Sequence, residues 1–167
     1  ASLAILLGLG GIGYYYATLP ASPDEIFNNY YEPYEATITL RSGNSELNSL
    51  LLKAYQKYQN ERYAEALVLF DQVLDKKEEM AAYLYSGISY MEVEKYRKAR
   101  ESLNTVIEDK NNLFIDQAKW YMSMCHIKIN NINEARTLLN ELARESEYYQ
   151  KRAEKVYKKL NKLKDDK

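Results

Sequence analysis

The sequence predicts an all-α protein made of short helices joined by polar turns, and three observations support this fold class. Glycine and proline, which interrupt helices, are nearly absent after residue 43, where Gly87 is the one exception. Apolar and aromatic residues recur at helical spacing through the middle of the chain. A short sequence element also returns at a regular interval, as described below. A chain of 167 residues is long enough for one sizeable core.

The charge balance argues against nucleic acid as a partner. The formal net charge is −1, so the whole chain has no electrostatic bias toward phosphate. Residues 151–167 contain eight Lys or Arg against three acids, a charge of +5, which leaves −6 for residues 1–150. This basic stretch could touch nucleic acid or anionic lipid, or it could be the solvated end of a repeat domain. We favour the solvated end because exposed aromatic residues do not interleave with the lysines.

No residue constellation in the sequence predicts catalysis, a cofactor, a metal ion or a small-molecule substrate. The single cysteine and the single histidine, Cys125 and His126, are neighbours on one predicted helix, so their side chains point about 100° apart. One Cys and one His do not make a zinc site. Gly8, Gly10 and Gly13 match a dinucleotide-binding pattern, but no amphipathic helix and no alternation of strands and helices follows them. We therefore predict that the protein is not an enzyme.

Residues 1–19 predict a membrane-spanning helix. No charged residue occurs before Asp24, and about 20 apolar residues are enough to cross a bilayer core. Three tyrosines at residues 14–16 stand where an interfacial aromatic belt would lie. The sequence starts at Ala1 without the basic residues that usually precede such a run, so we expect residues to be missing before Ala1. The alternative is a signal peptide that is removed.

Residues 20–46 form a juxtamembrane segment with a short predicted helix. Ser22 can cap this helix, Pro23 suits its first position, and Glu25 completes a capping box. An apolar face follows, consisting of Ile26, Phe27, Tyr30 and Tyr31, and Pro33 ends the helix. Residues 37–40 are rich in β-branched side chains and are expected to be extended. We predict that this segment packs on the repeat domain of its own chain.

Residues 47–167 contain three similar units. Their aligned elements are Tyr63–Ala66, Tyr96–Ala99 and Ile132–Ala135, and the closing alanines are 33 and 36 residues apart. The middle unit is the most complete, with Tyr83, Ser86, Gly87 and Tyr90 on a first helix and Ala99, Leu103 and Val106 on a second. Two helices approach closely only where small residues meet, so Gly87 and Ala99 are expected at the crossing.

This pattern resembles the tetratricopeptide repeat family. The resemblance implies a right-handed solenoid of about three helical hairpins, closed by a capping helix at about residues 145–164. The first unit is aligned as Leu51, Ala54, Tyr55, Tyr58, Ala66, Phe70 and Val73, and the third as Trp120, Ser123, Met124, Ile127, Ala135, Leu139 and Leu142. In both, the stretch between the helices is expected to be one residue shorter than the family pattern. The turn glycine of the family is replaced by Glu61, Glu94 and Asn130, and its closing proline by Glu78 and Asn111.

The whole arrangement resembles single-pass, membrane-anchored tetratricopeptide proteins of Bacteroidetes. The string Phe27–Tyr34 looks like the membrane-proximal segment of such proteins. This likeness implies anchoring in the inner membrane, with the repeat domain in the periplasm. It implies no reaction.

The resemblance also implies a binding groove, because the first helix of each repeat in this family lines the inner surface. The expected partner-binding residues are Leu52 and Gln56 in unit one, with Gln59 beside them; Leu84, Ile88 and Met91 in unit two; and Tyr121, Cys125 and Lys128 in unit three. Leu84 and Ile88 stand where chaperone-tail binders place carboxylate-gripping residues, so the groove is expected to suit an apolar helix or extended peptide. The alternative is that the chain's own residues 26–34 cover the groove.

Two functions remain open from the sequence. One is an adaptor that binds a polypeptide partner in the cell envelope. The other is a structural or oligomerising subunit of an envelope complex with no transient client.

Overall fold

The computed structural model describes residues 21–36 and 45–163, and within these ranges the chain forms helices and no strand. The helices are α1 (Pro23–Tyr30), α2 (Ser45–Gln59), α3 (Tyr63–Leu74), α4 (Met80–Glu92), α5 (Tyr96–Glu108), α6 (Ile115–Lys128), α7 (Ile132–Glu145) and α8 (Gln150–Leu160). The predicted all-α class is confirmed for this part of the chain.

Helices α2 to α7 form three helical hairpins. Each hairpin pairs a first helix with a second helix, as α2 with α3, α4 with α5, and α6 with α7, and each packs against the next hairpin in the chain. Helix α8 packs on α7 at the end of the stack. The result is a tetratricopeptide-like solenoid.

The close helix crossing predicted in the second hairpin is confirmed. A Cβ atom added to Gly87 would lie 2.6 Å from Cγ of Leu103 and 3.4 Å from the carbonyl oxygen of Ala99. Real Cβ atoms do not approach other atoms as closely as 2.6 Å, so the Leu103 side chain keeps its observed position against α4 only with glycine at residue 87.

The three turns inside the hairpins share one backbone conformation. Glu61, Glu94 and Asn130 have φ angles of 58°, 57° and 60°, in the left-handed region. In the second turn the amide of Glu94 donates to the carbonyl oxygen of Met91 at 3.0 Å, and the amide of Lys95 donates to that of Tyr90 at 2.8 Å. These two bonds make a Schellman motif, the helix ending in which glycine is most common. The chain therefore adopts the family's glycine turn without glycine.

These turns correct the predicted alignment of units one and three. The turn residues are spaced by 33 and 36 residues, as are the second-helix alanines, so all three hairpins have the same internal length. Ala54 and Ser123 therefore occupy the position of Gly87, where the sequence alignment had placed Tyr55 and Met124. The predicted one-residue shortening is wrong, and the error arose because a large apolar residue follows each small one.

The capping helix at the end of the solenoid is shorter than predicted. The capping helix was expected at about residues 145–164, whereas α7 continues to Glu145 and α8 covers Gln150–Leu160. Between them the Ser146 hydroxyl oxygen accepts a hydrogen bond from the amide of Tyr149 at 3.0 Å. The buried side chains of α8 are Ala153, Val156 and Leu160. Its opposite face is largely exposed, as the end of a repeat stack requires.

Helix α1 begins as predicted. The Ser22 hydroxyl oxygen accepts a hydrogen bond from the amide of Glu25 at 3.1 Å, and Pro23 occupies the first helical position. The helix ends at Tyr30, before Pro33, because Tyr31 already has extended backbone angles. The predicted extended residues 37–40 and the predicted membrane helix of residues 1–19 lie outside the described residues. Within residues 21–36 and 45–163, no helix has the length and apolar character needed to cross a membrane.

Candidate functional site

The surface formed by the first helices α2, α4 and α6 together with α8 is the candidate functional site, and we call it the first-helix groove. Residues 21–36 lie along it. Helix α1 packs against α6 and α8, and the side chain of Ile26 is only 1% exposed. At the other end of the segment Ala36 is also buried. The predicted packing of the juxtamembrane segment on its own repeat domain is confirmed for residues 21–36.

Three residues at equivalent positions of the hairpins hold this segment. Each stands two residues before the turn residue with positive φ; they are Gln59, Glu92 and Lys128. The Gln59 amide donates to the carbonyl oxygen of Ala36 at 3.0 Å. Glu92 accepts a hydrogen bond from the hydroxyl of Tyr31. Lys128 forms an ion pair with Asp24 at 2.9 Å. The segment therefore runs from the third hairpin to the first, opposite to the order of the repeats.

Tyrosine hydroxyls of the first helices bind the main chain of the segment. The donors are Tyr58, Tyr85 and Tyr121. The acceptors, in the same order, are the carbonyl oxygens of Tyr34, Glu35 and Glu32, at 2.8, 3.3 and 2.8 Å. Every residue of a polypeptide carries such a carbonyl group. These contacts therefore recognise an extended backbone rather than a particular side chain.

The tyrosines are fixed in place by aromatic packing. The ring of Tyr85 lies 5.0 Å from both Tyr55 and Tyr58, in edge-to-face geometry, and 6.3 Å from Tyr34 of the segment. Burial raises the pKa of Tyr58 and of Tyr121 well above the usual value, so both hydroxyls stay protonated and act as donors. The groove thus presents preorganised hydrogen-bond donors on a rigid aromatic surface.

Two cations stand at the end of the groove occupied by α1. Lys128 lies 5.1 Å from the ring centre of Phe27, in addition to its ion pair with Asp24. Arg152 of α8 lies 4.6 Å from the ring centre of Trp120 and donates to the carbonyl oxygen of Tyr30 at 2.5 Å. That carbonyl belongs to the last turn of α1, the negative end of the helix dipole. This end of the groove is therefore complementary to negative charge.

The predicted groove residues separate into two groups in the structure. Tyr121 and Lys128 contact the segment, as does Gln59. The other predicted residues make no such hydrogen bond: Leu84, Ile88, Met91 and Cys125 are buried in the core, Leu52 is partly buried and Gln56 is exposed. Leu84 and Ile88 are both 0% exposed, so neither belongs to the accessible surface of the protein. Partner binding by these residues stays a prediction.

Sequence reasoning missed the groove residues Tyr58, Tyr85, Glu92 and Arg152. For Glu92 a signal was available in the sequence, namely its distance from the turn. Counting back two residues from Glu94 identifies Glu92, just as it identifies Gln59 and Lys128 in the other hairpins.

Cys125 is a buried residue of α6. Its sulfur lies 3.6 Å from the carbonyl oxygen of Tyr96, and burial raises the pKa of the thiol to about 12. A thiol that stays protonated is a poor nucleophile and a poor metal ligand. Among residues 21–36 and 45–163, no group of three or more His, Cys, Asp or Glu side chains is placed to hold a metal ion.

The stacked helical hairpins define a tetratricopeptide-like fold. The chain is similar to the crystal structure of PcrH from Pseudomonas aeruginosa, with a TM-score of 0.62 and 17% sequence identity. The match covers 75% of this chain and 99% of PcrH. At this identity the likeness shows the fold. No protein-family model matches the chain, and no curated protein matches it.

Proposed function

We propose that this protein is an adaptor that binds a polypeptide partner through the first-helix groove and carries out no reaction of its own. The observation that carries this proposal is the set of three tyrosine hydroxyls that donate to main-chain carbonyls of an extended segment. A surface that binds polypeptide backbone in this way is suited to a peptide from another protein.

The proposal includes anchoring by residues 1–19 in the inner membrane, with the repeats in the periplasm. Its support is the uncharged, apolar composition of these residues. Carbonate extraction of membranes and protease access in spheroplasts test it. We expect the chain to stay with the membrane and the repeats to be cleaved. Release by carbonate, or protection of the repeats, would overturn this part of the proposal.

Photocrosslinking in native membranes tests partner binding. A photoreactive residue at Gln59 lies in the groove, and one at Glu101, an exposed residue on α5, is the matched control on a second helix. We expect the groove position to give an adduct with a different polypeptide and the control to give none.

The alternative is a structural or oligomerising subunit, and the same experiment separates it from an adaptor. Adducts formed only with a second copy of the chain would favour the alternative. The absence of any intermolecular adduct from Gln59 would rule out the groove as a binding surface.

A further inference from the structure

We propose that residues 21–36 occupy the binding site of the partner, and that the partner displaces them by inserting a segment of the same chemistry into the first-helix groove. This chemistry is an acidic side chain, an aliphatic side chain two residues later and a tyrosine seven residues later, in a helical turn that continues as extended chain. The inference rests on the proposed function and specifies the partner for that site.

The first support is that equivalent groove positions differ in chemistry. Gln59, Glu92 and Lys128 occupy one position of the repeat, yet they are an amide, an anion and a cation. Their ligands differ accordingly, as a backbone carbonyl, a hydroxyl and a carboxylate. A segment in the opposite direction would place its acidic residue toward the first hairpin, away from Lys128. The three residues therefore fix both the direction and the register of a bound segment.

The second support is that the segment supplies none of the helices of the three hairpins, although its Ile26 and Ala36 side chains pack on them. The hairpins are complete from α2 onward, and the main chain of residues 31–36 accepts hydrogen bonds from side chains of the first helices. Any polypeptide offers these acceptors. The side chain of Ile26 is fully enclosed, so a partner segment must supply an aliphatic side chain at this position.

The third support is the charge at the α1 end of the groove. Lys128 and Arg152 face Asp24 and the last-turn carbonyl of Tyr30, respectively. A competing segment needs negative charge at this end, where it would replace these contacts. An acidic residue at the start of a helical turn and free carbonyls at its end meet this requirement.

A segment-exchange experiment tests the inference in the full chain. A protease site is introduced within residues 37–44, the folded protein is cut there, and a labelled synthetic peptide of residues 21–36 is added. We expect the labelled peptide to replace the cut segment and to be retained by the repeats. An uncut sample should retain far less peptide, because the tethered segment competes at high effective concentration.

Variants of the peptide show which of its side chains the first-helix groove recognises. Ile26→Asp should weaken binding more than a hundredfold, because it places an unpaired carboxylate in an apolar enclosure. Tyr31→Phe should weaken it about tenfold by removing the hydrogen bond to Glu92, since bonds to charged groups are the stronger ones. Asn29→Ala is the matched control, because Asn29 is exposed, and it should bind like the unmodified peptide.

Three results of the exchange experiment would overturn the inference. They are failure of the peptide to exchange, loss of the helical fold after the cut, and equal binding of the Ile26→Asp peptide. The first two would make residues 21–36 a permanent part of the fold. If crosslinking from Gln59 finds a partner while exchange fails, the adaptor function stands and this inference falls. If the peptide exchanges but Gln59 gives no intermolecular adduct, the adaptor function and this inference both fall.

Discussion

The hydroxyl of Tyr121 on α6 donates to the carbonyl oxygen of Glu32 at 2.8 Å, joining residues 89 positions apart in the chain. The ring of Tyr121 also meets that of Tyr31 edge-on, at 6.0 Å. A single side chain thus binds the segment both by a polar contact to its backbone and by an aromatic contact.

Replacing Tyr121 with Phe should loosen the docked segment without disturbing the repeats. The ring contact with Tyr31 is kept and one hydrogen bond is lost, which costs about 1 kcal/mol, or roughly fivefold in the docking equilibrium. Hydrogen exchange of the α1 amides should accelerate by this factor. Tyr148→Phe is the control, because Tyr148 is 77% exposed. Unchanged exchange in Tyr121→Phe would show that the hydroxyl does not hold the segment.

Replacing Glu94 with Gly should stabilise the protein. Glu94 has a φ of 57°, a conformation that costs a residue with a Cβ about 1–2 kcal/mol and glycine almost nothing. We expect a gain of about 1 kcal/mol in the free energy of unfolding, measured by urea denaturation. Asn130→Gly should gain less, because asparagine tolerates this region better.

The control for this turn substitution is Glu101→Gly, within the exposed face of α5. There glycine should lower stability by about 1 kcal/mol through its poor helix propensity. Destabilisation by Glu94→Gly would mean that the Glu94 side chain contributes a contact that outweighs its backbone strain.

Gly87→Ala should destabilise the second hairpin, because the new methyl group would overlap Leu103. Overpacking of this kind costs about 1–3 kcal/mol, partly offset by about 1 kcal/mol from the better helix propensity of alanine. Leu103→Ala alone should cost about 2–5 kcal/mol by leaving a cavity. In the Leu103→Ala background, Gly87→Ala should become neutral or stabilising. A double-mutant cycle with zero coupling between these positions would contradict the observed crossing.

The helical fold should be lost at alkaline pH. Burial raises the pKa of Tyr55, Tyr58, Tyr121 and Tyr149 above the ordinary value of 10.0. The folded state therefore keeps protons that the unfolded state releases, so this stabilisation is complete below pH 10 and falls as the pH rises. Each tyrosine should contribute a slope of about 1.4 kcal/mol per pH unit.

Circular dichroism and tyrosinate absorbance, followed together above pH 10, measure this effect. We expect a late group of tyrosines to ionise in the same transition in which the helices are lost. Ionisation of all tyrosines near pH 10 with the helices intact would contradict the burial of these side chains.

The buried positions of the second helices were predictable from sequence, whereas the alignment of the first helices was not. Ala99, Leu103 and Val106 are all buried, as are their counterparts at spacings of 33 and 36 residues. Each second helix carries a small residue followed by two apolar ones at helical spacing, and this pattern indicates which face is buried. In the first helices, Tyr55 and Met124 directly follow a small residue, so apolar pattern alone did not decide which of the two faces the crossing.

The groove was predictable in kind but not in detail. The sequence predicted that residues 26–34 could cover it, and it predicted contacts by Tyr121 and Lys128. The hydroxyls of Tyr58 and Tyr85 bind carbonyls about 24 and 50 residues earlier in the chain. Such pairs depend on the path of the segment across the repeats, and no local pattern encodes that path.

The reversed path of residues 21–36 gives groove occupancy a mechanical meaning. Docked, residue 21 is held at the end of the solenoid formed by α6 and α8. A polypeptide that takes the groove would free residues 21–36, and 16 residues of extended chain reach about 55 Å. Partner binding would then convert a short, fixed connection between residue 20 and the repeats into a long, flexible linker. The volume that the repeats can search around residue 20 would grow with that reach.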